Sequence, residues 1–216
     1  MKPNSPGDGT ISLTRPIFIG ITGGIGAGKS EILQYIGKHY NCEIYLADSI
    51  AHAVKEPGTD CFRKLVALLG EDITGPDGRI DRSRMAEKIF FDGKLLEQVN
   101  GILHPAVKSY LLERLEQARQ QGRTELFFVE AALLIECGYG ALVDEMWYIY
   151  ADRETRQKRL RQSRGYSGER IDGIMASQLS EEQFRENCDF VIDNSGTLAE
   201  SFAQIDRKLE AFTWRE

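Results

Sequence analysis

Ile17-Phe18-Ile19-Gly20-Ile21 runs through Thr22 into Gly23-Gly24-Ile25-Gly26-Ala27-Gly28-Lys29-Ser30, and this stretch decides the fold. Its first part is an apolar run that reads as a buried strand, and the part from Gly23 fits the pattern G-x-x-x-x-G-K-[ST] of a phosphate-binding loop. Glycines let the backbone curl so that successive N–H groups point at phosphate oxygens. A helix starting at Lys29 adds its positive N-terminal end to the same pocket. Lys29 is expected to reach the β- and γ-phosphates of a nucleoside triphosphate, and Ser30 to hold Mg²⁺ through its hydroxyl. The nucleotide-gripping set is Gly24, Ile25, Gly26, Ala27, Gly28, Lys29 and Ser30, with Glu31 beside it. A ligand-free glycine turn would need neither Lys-Ser after the last glycine nor a strand before the first.

A length of 216 residues allows one large domain or a core with an inserted subdomain. With 42% hydrophobic and 28% charged residues the composition is that of an ordinary globular protein, and the net charge of −6 argues against a nucleic-acid or membrane surface as the main partner. Cys42, Cys61, Cys137 and Cys188 are scattered, with no C-x-x-C pair to build a zinc site, and read as reduced, packed thiols of a cytoplasmic protein. Residues 1–15 are polar and rich in Pro, Gly, Ser and Thr, so they are expected to form a flexible extension rather than a secretory signal. No apolar run approaches the ~18 residues of a membrane span.

Beyond the glycine loop, periodicity predicts a helix over 29–40, a strand over 43–46, and a helix from Asp48 to a stop at Pro57-Gly58. Helices follow over 61–69, 82–90 and 95–121, with a turn at Gly75-Pro76-Asp77-Gly78 and an interruption expected at His104-Pro105. Strands are predicted over 126–129, 146–151 and 190–193, and helices over 153–164, 168–178, 181–187 and 198–212. Strands separated by helical segments imply a parallel sheet. The expected fold is a three-layer α/β P-loop domain over 16–216 with about five strands. Residues 59–121, which lack a strand, would be a helical insertion.

A phosphate loop alone does not separate a switch GTPase, a motor ATPase and a small-molecule kinase. No Asn-Lys-x-Asp guanine reader occurs, and little of the chain is left over to transmit force. An acid shortly after the second strand, a helical insertion and an arginine-rich helix are what remain.

Leu46-Ala47-Asp48-Ser49-Ile50-Ala51-His52-Ala53-Val54 resembles the D-A-D-x-I-A-H-x-V segment of dephospho-coenzyme A kinases. Gly70-Glu71-Asp72-Ile73, Asp77-Gly78-Arg79-Ile80-Asp81-Arg82, His104-Pro105-Ala106-Val107, Leu133-Leu134-Ile135-Glu136, Gln178 and Ile192-Asp193-Asn194-Ser195-Gly196 match further segments of that family in order. The resemblance covers nearly the whole chain. It implies ATP-dependent phosphorylation of the ribose 3′-hydroxyl of dephospho-coenzyme A, with Mg²⁺, by a monomer or weak homo-oligomer.

Within that resemblance Asp48 would take the hydroxyl proton, although by spacing alone it also suits a helix N-cap. Arg159 and Arg164 match the basic residues of a lid over 153–187, where a closing arginine neutralises charge on the transferred phosphoryl group. Arg153 and Arg156 are weaker candidates, and Arg161 reads as solvated. The insertion is expected to hold the acceptor, with His52, His104 and Glu136 as candidate contacts; Glu136 ends an apolar run and so should face the cleft. Asp193 and Asn194, after the last strand, are expected to border the adenine. Glu130, at a strand end, would support Mg²⁺ through water. Two residues depart from the family pattern: Leu46 replaces the first acid of D-A-D, and Ala132 the proline of P-L-L-x-E.

Overall fold

Strands with side chains buried on both faces need helices on both sides, and parallel neighbours need long crossovers. The computed structural model, which describes residues 16–212, follows that rule; the expected 1–15 extension lies outside the described residues. Strands β1 (Ile17–Thr22), β2 (Cys42–Leu46), β3 (Leu126–Glu130), β4 (Glu145–Tyr150) and β5 (Phe190–Asp193) form one parallel sheet in the order β2-β3-β1-β4-β5. Helix α1 (Lys29–His39) connects β1 to β2, and α2 (Ala47–Ala53), α3 (Asp60–Leu69), α4 (Arg82–Phe90) and α5 (Gly93–Gln121) lie between β2 and β3. Helices α6 (Arg153–Arg164), α7 (Gly168–Ala176) and α8 (Glu181–Glu186) lie between β4 and β5, and α9 (Leu198–Glu210) follows.

Alternation along the strands sorts the core into two halves. Phe18, Phe127, Val129 and Met146 face Ile50 of α2, Leu65 of α3, and Val99, Leu111 and Leu115 of α5. Ile17, Ile19, Ile21, Phe128, Trp147 and Ile149 face Ile32 and Ile36 of α1 and Ile205 and Leu209 of α9. The result is the three-layer α/β architecture expected from the sequence.

Helix ends follow local chemistry. Asp81 accepts from the Ser83 and Arg84 amides to start α4, and Asp152 accepts from Thr155 to start α6. Gly165, at φ 61°, closes α6 in the left-handed conformation.

Two expectations are corrected. Helix α5 passes through His104-Pro105 without a break. The carbonyl four residues before Pro105 belongs to Gly101, and both residues are exposed, so water can serve the group that the missing N–H leaves unpaired. Asp48 is not a cap: α2 begins at Ala47 with Leu46 at its N-cap, and no side chain bonds there.

Candidate active site

Open parallel sheets place their working crevice beyond the carboxyl ends of the strands, where neighbouring connections diverge. Here β1 sits at the centre between β3 and β4, and the glycine loop leaves its carboxyl end. Gly28, at φ 90°, is the N-cap of α1, and no side chain caps that helix. Its first amides are therefore available to an anion. A Cβ on Gly28 would run into the Asn194 amide as well as strain the backbone, so glycine is required on two counts.

The Lys29 ammonium donates to the Gly23 carbonyl at 2.8 Å and stands 3.6 Å from Glu130 Oε1. Glu130 ends β3, in register with Ile21 of β1 and Leu46 of β2, so one carboxylate lies where three strands finish. Burial lowers the pKa of Lys29, and Glu130 pulls it back up. Burial raises the Glu130 pKa above its ordinary 4.5, opposed by Lys29 and reinforced by Asp48. Asp48, exposed in the first turn of α2, thus shares a field with both. A desolvated lysine, a desolvated carboxylate and an accessible carboxylate converge beside the glycine loop.

Helix α6 packs along that loop. Arg156 Nε donates to the Ile25 carbonyl at 2.8 Å, and Arg159 Nη1 and Nη2 donate to the carbonyls of Ala27 at 3.2 Å and Asn194 at 2.9 Å. Both Arg156 and Arg159 thus meet the loop, although the sequence alone ranks Arg156 below Arg159. Arg159 gives two of its five N–H groups to backbone carbonyls, and Arg156, the weaker candidate, is also bonded to the loop because position i+3 shares its helix face. Arg164, at the far end of α6, is exposed, with its guanidinium carbon 5.9 Å from the centroid of the Tyr166 ring.

Asn194 is also reassigned. Its side chain is buried, donating to the Ala27 carbonyl at 2.8 Å and accepting from the Ser201 hydroxyl at 2.9 Å, so it holds the loop from behind. Asp193 is exposed and accepts from the Ser195 amide at 2.9 Å. The Ile25 amide, expected to face phosphate, donates to Gln178 Oε1 at 3.1 Å. Ser30 and Glu31 are exposed in the first turn of α1.

His52, in the last turn of α2, and His104, in α5, are exposed, and His104 Nδ1 lies 3.8 Å from Cys137 Sγ. Glu136 is exposed in the turns after β3 rather than at the end of a buried run, so the desolvation argument for its facing the cleft does not hold. Gln178 and Ser201 are the contacts that residue-by-residue reading of the motifs left without a role. No sequence signal marks Ser201; Gln178 stood only as a family match.

Among the described residues no three His, Cys, Asp or Glu side chains cluster as a ready metal cage. Mg²⁺ does not require one, because it binds through one or two carboxylates, waters and substrate phosphates. The exposed Ser30 hydroxyl and the Glu130 carboxylate, whose charge Lys29 partly offsets, are oxygen donors of the kind that ion takes.

The family model for dephospho-CoA kinase (CoaE) matches residues 17–200. A dephospho-CoA kinase from Geobacter sulfurreducens is 36% identical over 193 residues, covering 89% of this chain and 95% of the relative. The crystal structure of TT1252 from Thermus thermophilus covers 93% of this chain and 100% of its own at a TM-score of 0.76 and 29% identity. Dephospho-CoA kinase from Campylobacter jejuni, at 23% identity and a TM-score of 0.67 over 89% of this chain and 95% of its own, shares the fold.

Proposed function

The chain belongs to the dephospho-CoA kinase family, and from that premise we propose how its own residues phosphorylate dephospho-coenzyme A with ATP, the last step of coenzyme A synthesis. The observation that carries the reading is the meeting of Lys29, Glu130 and Asp48 at the carboxyl ends of β1, β3 and β2.

The loop from Gly24 to Ser30 receives the triphosphate on backbone amides other than those of Ile25 and Ala27, and on the α1 N-terminus, and Lys29 reaches toward the β- and γ-phosphates. Ser30 and, through water, Glu130 would hold Mg²⁺, which would supply charge neutralisation on those phosphates. The ribose 3′-hydroxyl oxygen of the acceptor forms a bond to the γ-phosphorus as the bond from that phosphorus to the bridging oxygen breaks. ADP leaves and Asp48 takes the hydroxyl proton. Proton acceptance of this kind is worth roughly 10²–10⁴ in rate. Arg159, with N–H groups beyond its two carbonyl bonds, and the exposed Arg164 are the arginines we assign to the closing lid. The insertion over 59–121 receives the acceptor, with His52, His104 and Glu136 as its candidate contacts.

Among the described residues no helix is long and apolar enough to cross a membrane. We assign the protein to the cytoplasm, as a monomer or weak homo-oligomer without a nucleic-acid partner. The test is product formation from ATP, Mg²⁺ and dephospho-coenzyme A, with adenosine and cytidine monophosphates as parallel acceptors. Coenzyme A from the first acceptor alone is expected; transfer to a monophosphate instead overturns the assignment.

A further inference from the structure

Ile25 has both of its backbone polar groups held by side chains. Its N–H donates to Gln178 Oε1 at 3.1 Å, and its carbonyl accepts from Arg156 Nε at 2.8 Å. The same Gln178 oxygen accepts from Arg156 Nη2 at 2.7 Å, which closes a ring of three groups. Arg156 comes from α6 and Gln178 from the connection between α7 and α8, so two parts of the 153–187 segment meet one peptide of the phosphate loop. Gly24 lies against the same guanidinium, and a Cβ there would collide with it.

We propose that Gln178 is a positioning residue for the nucleotide. It orients Arg156 and turns the Ile25 amide away from the phosphates; with the Ala27 amide bonded to the Gly24 carbonyl, the loop presents the amides of Gly26, Gly28, Lys29 and Ser30. The proposal rests on the reading of Gly24 to Ser30 as the ATP site. A side chain that merely braced the fold would lower stability and disturb both substrates alike. One that sets the loop's shape acts on ATP selectively, because among the described residues its oxygen bonds to Ile25 and Arg156 alone.

Gln178→Met keeps the length and removes the acceptor, whereas Gln178→Glu keeps an acceptor for both donors. The expected result for Gln178→Met is a KM for ATP raised about tenfold, the scale of one hydrogen bond to a charged group, with KM for dephospho-coenzyme A within about twofold. Gln178→Glu should return KM for ATP most of the way. Combining Gln178→Met with Arg156→Ala should cost less than the two separate losses together, since both break one ring. Equal shifts in the two KM values, no rescue by Glu, or additive losses would each overturn the proposal. If Gln178→Met loses its cooperative melt, Gln178→Glu with Arg156→Ala decides. A carboxylate stripped of its guanidinium should then weaken ATP beyond the sum of the single changes, and no such excess overturns the proposal. Failure of the underlying ATP-site reading is seen separately, as a KM for ATP that Lys29→Ala leaves unchanged.

Discussion

The side-chain amide of Asn194 donates to the carbonyl of Ala27 at 2.8 Å, joining the residue after the last strand to the middle of the phosphate loop. Asn194 is 1% exposed, and its oxygen accepts from Ser201, so both ends of the amide are used inside the protein. The loop is thus shaped partly by the last third of the chain.

Replacing Asn194 with Ala removes one of two donors to the Ala27 carbonyl, leaving Arg159, and one of the acceptors of the Ser201 hydroxyl, leaving the Asp193 and Thr197 carbonyls. The expected loss of unfolding free energy is about 1–3 kcal/mol, measured by urea denaturation, accompanied by weaker ATP binding. Stability and ATP affinity equal to the parent protein would mean that the loop keeps its shape without this contact.

Asp48→Asn preserves shape while removing proton acceptance. Turnover should fall by at least about a hundredfold with ATP affinity retained, as read from single-turnover rates and nucleotide titration. Lys29→Ala should instead weaken both ATP binding and transfer. Near-normal turnover in the Asn variant refutes the base assignment.

Because burial raises the Glu130 pKa above 4.5, loss of its ionised form on acidification begins at a higher pH than for an ordinary glutamate. The acid limb of kcat/KM should therefore lie above that value and disappear in Glu130→Gln, at reduced activity throughout. The sign for stability is opposite to that of an acid whose pKa is lowered on folding, because burial outweighs the Lys29 ion pair. The folded state holds this proton more tightly than the unfolded one, so its contribution falls as pH rises through the window above 4.5. An unchanged acid limb in the Gln variant would assign it to another group.

Leu46 occupies the N-cap of α2 with extended backbone, φ −91° and ψ 117°, yet offers no acceptor to the helix amides. Leu46→Asp supplies one, and should stabilise the protein by about 0.5–2 kcal/mol in thermal or urea unfolding. No gain would show that the exposed amides are already well served by water.

Much of this molecule can be read locally. Helix α4 starts where Asp81 caps it and α6 stops where Gly165 turns left-handed, and such signals travel only a few residues. The apolar run into Gly23 likewise identified the central strand and the loop. Pro105 misled because its cost depends on whether the orphaned carbonyl meets water, which depends on the helix face that packs. Arg156 and Arg159 could not be ranked because their partners are backbone carbonyls, which carry no residue-specific mark. Asn194 invited a ligand role for the same reason: the Ala27 carbonyl it meets is 167 positions away.

The strand register bears on how the polypeptide emerges from a ribosome. Ile17 to Ile21 pair with Leu126 to Glu130, and Ile19 to Thr22 pair with Glu145 to Tyr148. This apolar strand is thus the first synthesised and waits longer for its partners than any other strand of the sheet. At ~5–20 residues per second, the nascent segment waits roughly 5–20 seconds before β3 exists. During that time an apolar edge is open to misassociation or to chaperone capture. The central position that makes β1 a rigid base for nucleotide chemistry also makes birth the hazardous period of this protein's life.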